Sequence, residues 1–191
     1  MVRKLFGQFI IISGSGKKVG KTWLATALIR SFHQSVPLIA LKISPHLHDS
    51  LGKSKIVYAS ETFRIYQDLE PHIKNSGQYL QSGADASFFM EAEDRHLDEA
   101  FTIFMNVCNP EKQPVICESG ALGSKIKPAI MIFIASGDEP LSKSKKRSER
   151  VADFVLPARI FSADDVVQRI RWSGEKWYYE PLPVSDFQVQ S

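Results

Sequence analysis

Short apolar runs alternate with amphipathic segments along the chain, and this alternation predicts its secondary structure. Runs of about four to eight mostly apolar residues, bounded by turn formers, are typical of buried strands. The predicted strands cover residues 6–13, 37–44, 86–91, 114–118, 129–135 and 152–156. Apolar residues at helical spacing predict helices over residues 20–33 and 93–107, the second being the more clearly amphipathic.

The C-terminal part of the chain carries two further local signals. Ser-Ala-Asp-Asp at 162–165 is typical of the capped start of a helix, and Trp-Ser-Gly-Glu-Lys-Trp at 172–177 predicts a hairpin around a turn. Near-continuous apolar strands that alternate with helices indicate a parallel sheet covered on both faces. We therefore expect an α/β fold, a three-layer sandwich with a mainly parallel sheet, formed by one domain over residues 1–191.

Composition narrows the class of protein. With 191 residues, 43% of them apolar and 24% charged, the chain can bury a sizeable core. It has no apolar run of the ~18 residues that span a membrane. The short apolar stretch near the N-terminus leads into a glycine-rich turn, which argues against a signal peptide and predicts a cytoplasmic protein. Two cysteines exclude a disulfide framework, and a net charge of +3 does not indicate nucleic-acid binding.

The segment that follows the first predicted strand carries the strongest chemical signal. It reads Ser-Gly-Ser-Gly-Lys-Lys-Val-Gly-Lys-Thr over residues 13–22 and leads into a predicted helix. Glycines allow backbone N–H groups to surround a phosphate, and the start of a helix adds partial positive charge. The segment therefore predicts a P-loop of the P-loop NTPase class. Its predicted nucleotide-binding residues are Gly14, Ser15, Gly16, Lys17, Lys18, Val19, Gly20, Lys21 and Thr22.

Individual roles follow from the P-loop pattern. Lys21 is predicted to contact the β- and γ-phosphates, and the hydroxyl of Thr22 to hold Mg²⁺. The strict pattern has glycine at position 15, whereas this chain has Ser15 between two glycines. Lys17 and Lys18 have two interpretations of similar weight: contact with a phosphate, even across a dimer interface, or ordinary solvation.

Charged residues at the ends of two other predicted strands suggest partners for this loop. Glu118 ends an apolar strand, so we expect it to organise Mg²⁺ or water, and Lys42 lies within an apolar strand, where an anionic ligand would explain it. Together with Lys21, these two residues are the predicted catalytic groups. Asp49 is a candidate for Mg²⁺ through water. His46 and His48 are either metal ligands or, as we favour, ordinary loop histidines.

Two segments resemble one family. Residues 11–29, which contain the glycine-lysine loop, and Leu-Lys-Ile-Ser-Pro-His-Leu-His at 41–48 are similar to the molybdopterin-guanine dinucleotide biosynthesis protein B family. Residues 75–84 also match a stretch of that family at Ser76, Gly83 and Ala84, with Asn75 and Gln78 in place of its aspartate and arginine. The resemblance implies a homodimer that binds GTP, hydrolyses it slowly at most, and assists a molybdopterin nucleotidyltransferase.

The same loop is also similar to dethiobiotin synthetase and the cobyrinic acid amide synthases, which share a lysine near Lys42 and a glutamate at a strand end like Glu118. That resemblance implies an ATP-dependent synthase in which Lys42 binds a carboxylated substrate. A third interpretation is a nucleotide-dependent adapter that hydrolyses almost nothing and docks to a partner.

The sequence does not decide whether the nucleotide is GTP or ATP. No Asn-Lys-x-Asp string selects guanine, and Asp138, after the strand at 129–135, is either a base contact or part of a simple turn. The basic run at 143–150 is interpreted as a solvated helix face or loop, and contact with a phosphorylated ligand is the less favoured alternative.

Overall fold

The computed structural model of the chain describes residues 3–45, 53–71, 76–110, 113–137 and 140–180. These residues form an α/β structure of ten strands and five helices. In chain order the elements are β1 (Leu5–Gly14), α1 (Lys21–Phe32), β2 (Ile39–Ser44), β3 (Ser54–Ala59), β4 (Phe63–Asp68), α2 (Gly77–Gln81), β5 (Ala86–Ala92), α3 (Leu97–Cys108), β6 (Val115–Glu118), β7 (Lys127–Ala135), α4 (Lys143–Arg150), β8 (Phe154–Pro157), α5 (Ala163–Val167), β9 (Ile170–Trp172) and β10 (Trp177–Tyr179).

Eight of the strands form one mixed sheet in the order β3-β4-β5-β2-β6-β1-β7-β8. Every neighbouring pair from β5 to β8 is parallel, while β3 and β4 are antiparallel. The expectation of a mainly parallel sheet is therefore confirmed. The ends of β1, β6 and β2 lie side by side near the middle of this sheet, at the edge where ligands bind in such folds.

Helices cover both faces of the sheet. Alternate residues of a strand point to opposite faces, and in β1 Phe9 and Ile11 belong to a core cluster that includes α3 residues. Ile10 and Ile12 belong to a second cluster that includes α1 residues. All four side chains are fully buried. Burial on both faces explains why β1 is apolar without interruption, and the arrangement is compatible with three layers.

The remaining elements agree with the sequence in part. All six predicted strands form, although β2 begins at Ile39 and the helix predicted from residue 93 begins at Leu97. The Ser162 hydroxyl caps α5 by accepting from the Asp165 N–H, and β9 pairs with β10 as the predicted hairpin. The β3–β4 hairpin and α2 were not predicted, and α4 covers the basic run for which a helix face and a loop were both left open. β3 lies at the sheet edge with no fully buried residue, so it has no apolar run to reveal it.

Among the described residues, no helix combines the length and the apolar character needed to cross a membrane.

Candidate functional site

The strand register brings the predicted charged residues together. Glu118, the last residue of β6, is the register partner of Ile12 in β1 on one side and of Lys42 in β2 on the other. Parallel strands place their carboxyl ends at one edge of the sheet, so both charged side chains lie beside the β1–α1 loop, residues 15–20. These segments are dozens of residues apart in the sequence, and the order of strands in the sheet brings them together.

The β1–α1 loop is tightly curled against the end of β7. Gly20 has φ 107°, a left-handed conformation that favours glycine. A Cβ atom on Gly14 would lie 2.8 Å from the carbonyl oxygen of Ile134 and from a methyl group of Val19. The backbone N–H of Ser15 donates to the Ile134 oxygen at 2.9 Å. Two of the predicted glycines are thus required by conformation or by packing.

Ser15 occupies the position where the strict P-loop pattern has glycine. Its side chain is buried, and its hydroxyl donates to the hydroxyl of Ser136 at 2.9 Å while accepting from the Ser136 backbone N–H, also at 2.9 Å. The serine therefore joins the loop to the segment after β7. Its hydroxyl is engaged there, so this departure from the pattern has a structural explanation.

Lys21 extends back across the loop. Its ammonium donates to the carbonyl oxygen of Gly16 at 2.6 Å. Burial lowers the pKa of Lys21; the negative charge of Glu118 opposes this shift, and the charges of Lys42 and Lys145 add to it. The ammonium groups of Lys21, Lys42 and Lys145 repel one another, and a bound anion would offset this repulsion.

Glu118 is the centre of the polar network. One oxygen, Oε2, accepts from the hydroxyls of Thr22 and Tyr79, each at 2.7 Å, and lies 3.5 Å from the ammonium of Lys42. Burial by itself would raise the pKa of Glu118, but the charge of Lys42, the two hydroxyl donors and Lys21 together lower it. The carboxylate is therefore ionised at neutral pH although it is buried.

Tyr79, from α2, is a site residue that the sequence analysis did not identify. It is fully buried, and burial followed by the negative charge of Glu118 raises its pKa, so its hydroxyl stays a donor. Gly83, two residues after the end of α2, has φ 103°, and a Cβ there would lie 2.5 Å from the His33 ring at the end of α1, so glycine allows this close approach to α1. The sequence signals near Tyr79 were the family matches at Ser76, Gly83 and Ala84.

Lys145, from the basic helix α4, also reaches the site. Its ammonium donates to the carbonyl oxygen of Ser15, and three residues later the Ser148 hydroxyl donates to the Gly120 oxygen at 2.8 Å. The run at 143–150 is a helix, which agrees with the helix alternative of the sequence analysis and not with the loop alternative. It is not simply a solvated face, because Lys145 points into the site and Ser148 is buried.

The loop and the charged side chains around it line an open cleft of about 680 Å³. Its described lining contains five lysines and one acid. The lysines are Lys17, Lys18, Lys21, Lys42 and Lys145, and the acid is Glu118. Trp23, in the first turn of α1, lines the same cleft. An excess of four positive charges in one cleft suits a ligand with several negatively charged oxygens.

Some predicted residues cannot be compared with the structure. His46, His48, Asp49, Asn75 and Asp138 lie outside the described residues. Within the described ranges, no group of three or more His, Cys, Asp and Glu side chains is placed to hold a metal ion.

Comparison with known proteins gives no relative for this chain: no family model, no curated protein and no solved structure matches it.

Proposed function

We propose that the chain is a P-loop protein that binds a nucleoside triphosphate with Mg²⁺ in the five-lysine cleft. One observation carries this proposal: the β1–α1 loop, with Lys21 folded across it, opens beside the Thr22–Glu118 pair into a cleft with a large excess of positive charge. Backbone N–H groups of the loop and the start of α1 would bind the phosphate oxygens. Lys21 would exchange the Gly16 oxygen for a phosphate oxygen.

The oxygen donors of the site fit Mg²⁺. Hard cations prefer hydroxyl, carboxylate, phosphate and water oxygens, and the Thr22 hydroxyl and the ionised Glu118 carboxylate already lie 2.7 Å apart. When bound, the ion would offset the negative charge of the phosphates. Thr22 and Glu118 would hold it, while Lys42 would turn from Glu118 toward the terminal phosphate.

The finer proposal is a GTP-binding accessory protein of molybdopterin-guanine dinucleotide synthesis. It is supported by the resemblance of residues 11–29 and 41–48 to that family. In such a role the protein acts on a partner nucleotidyltransferase. We therefore expect slow hydrolysis of GTP to the diphosphate and phosphate, with no other product.

A second candidate, an ATP-dependent synthase that activates a carboxylate, is favoured by one structural observation. A smaller pocket of about 280 Å³ adjoins the cleft, with which it shares Ile43, Pro45, Gly120 and Lys145. The hydroxyl-bearing residues Ser119, Ser142 and Ser144 also line it, as does one acidic residue, Asp94. A small acid bound there would lie beside the ammonium of Lys145 and near the terminal phosphate.

Titration with labelled GTP and ATP, with Mg²⁺ and with chelator, tests the proposal. We expect Mg²⁺-dependent binding that Lys21→Ala weakens by at least about thirtyfold, since truncating one partner of a desolvated charged contact costs about 2–5 kcal/mol. Lys53→Ala is the matched control, because Lys53 is not among the cleft-lining residues and its side chain is 75% exposed. Equal binding by wild type and Lys21→Ala would refute the P-loop assignment.

The same titration separates the two candidates. A preference for ATP of tenfold or more, with turnover that rises when a small carboxylic acid is added, would favour the synthase. Preference for GTP with slow turnover would favour the accessory protein.

A further inference from the structure

Trp23 is an exposed aromatic residue at the mouth of the cleft. It follows Thr22 directly, in the first turn of α1, and lines the same cleft as the five lysines. Its side chain is 51% exposed, although tryptophan is usually well buried on average. Its neighbours on α1, Leu24 and Ala25, are buried in the core. The core therefore does not account for a tryptophan at this position.

A second ring fixes the position of Trp23. Phe161, in the loop between β8 and α5, packs on the indole with ring centroids 5.2 Å apart and an angle of 54° between the planes. The same phenyl ring lies 3.1 Å from where a Cβ on Gly20 would be. The indole, the phenyl ring and the phosphate-binding loop thus form one packed unit, so the exposed surface of Trp23 has a defined position relative to the loop.

The sheet order gives the direction in which a bound nucleotide would extend. Glu118 and Lys42 lie on the β6 and β2 side of β1, whereas Phe161 follows β8, on the opposite side. A triphosphate whose terminal phosphate faces Glu118 and Lys42 therefore directs its nucleoside toward Trp23. The described cleft lining contains one aromatic residue, and it is Trp23.

We propose that Trp23, held by Phe161, is the surface on which the nucleobase stacks. This inference rests on the proposed function and extends it to the nucleoside half of the ligand. Stacking on an aromatic ring is tolerant of base identity, because every base has a π-face. Trp23 therefore contributes affinity to ATP and GTP alike, and the choice between them lies elsewhere.

The test compares nucleotides with inorganic tripolyphosphate, which has the phosphate chain without a base. Affinities of ATP, GTP and tripolyphosphate, each with Mg²⁺, are measured by calorimetry for wild type, Trp23→Ala and Trp23→Phe. We expect Trp23→Ala to weaken both nucleotides by about five- to hundredfold and tripolyphosphate by less than about twofold. Trp23→Phe, which keeps a ring, recovers most of the loss. Tyr178→Ala is the control, because it removes an exposed aromatic residue outside the cleft lining. We expect it to leave the affinities for the nucleotides and for tripolyphosphate unchanged.

A second readout uses emission. The chain has three tryptophans, and Trp172 and Trp177 pack against each other in the C-terminal hairpin. We expect ATP to quench emission of wild type and to leave emission of Trp23→Phe unchanged while that variant still binds.

The outcomes distinguish the inference from the function on which it rests. If wild type binds tripolyphosphate and Trp23→Ala weakens ATP no more than tripolyphosphate, the stacking role is wrong and the phosphate site stands. If wild type binds neither tripolyphosphate nor nucleotide, the proposed function is wrong and the stacking role falls with it. Melting curves check that Trp23→Ala folds, which the exposure of Trp23 leads us to expect.

Discussion

The two sides of β1 differ in chemistry although both are well packed. On the β6 and β2 side, Glu118, Lys42 and Tyr79 form a buried polar network around one carboxylate oxygen. On the β7 and β8 side, β9 and β10 pack aromatic residues on the sheet, and the Trp177 indole N–H donates to the Gln8 oxygen at 2.9 Å. Burying ions is costly unless they are paired, and the Lys42 ammonium and two hydroxyl donors supply partners for Glu118.

The largest expected effects come from removing the central residue of each side. Glu118→Ala leaves the Tyr79 hydroxyl and the Lys42 ammonium without their partner, and we expect a loss of about 3–5 kcal/mol in the free energy of unfolding. Trp177→Ala, which empties a fully buried site, should cost about as much. Denaturant unfolding measures both losses.

Nucleotide binding then distinguishes the two variants. The folded fraction of Trp177→Ala should bind with wild-type affinity, whereas Glu118→Ala should lose the Mg²⁺-dependent part of binding. Equal affinity in both variants would mean that the polar network is structural only.

A smaller effect is expected at the loop itself. Gly14→Ala places a Cβ 2.8 Å from the Ile134 carbonyl oxygen, which is backbone and held in the sheet. We expect a loss of about 1–3 kcal/mol, from overpacking, and weaker nucleotide binding because the loop must shift. Gly120→Ala is the matched control at the cleft rim: its Cβ would meet nothing within 4 Å. A Gly14→Ala variant as stable as Gly120→Ala would show that the loop is loosely packed.

The smallest effect is a difference in acid sensitivity. The pKa of Glu118 is below the ordinary carboxyl value of 4.5, so its ionisation stabilises the fold above that pH. The contribution is lost as the pH falls through the lower pKa of the folded state, by at most about 1.4 kcal/mol per pH unit. The stability gap between wild type and Glu118→Gln should therefore narrow below pH 4.5. The gap between wild type and Trp177→Phe should stay constant there.

The fold was largely readable from local patterns. Strands such as β1 and β7 are buried on both faces, so burial forces an uninterrupted apolar run, and the glycine-lysine segment specified its own turn and helix start. The β3–β4 hairpin escaped prediction because an edge strand with one exposed face carries neither a full apolar run nor a strict alternation. The homodimer, the partner nucleotidyltransferase and the cytoplasmic location stay predictions.

Only the part of the site that is continuous in the sequence could be predicted from the sequence. Gly14, Gly20, Lys21 and Thr22 are specified by a continuous segment, because backbone curvature and a helix start need particular residues at fixed spacing. Tyr79 and Lys145 carried no such signal, since a tyrosine on a short helix and a lysine in a basic run are ordinary in sequence.

Sequence alone determined the class of fold, the phosphate-loop candidate and the two charged strand ends, since each depends on neighbours along the chain. The tertiary structure decided which oxygen of Glu118 is surrounded, which of the α4 lysines reaches the Ser15 carbonyl, and that Phe161 holds the indole of Trp23 at the cleft mouth. Those contacts join residues that lie from 96 to 138 positions apart in the sequence, and only the order of strands in the sheet brings them within reach.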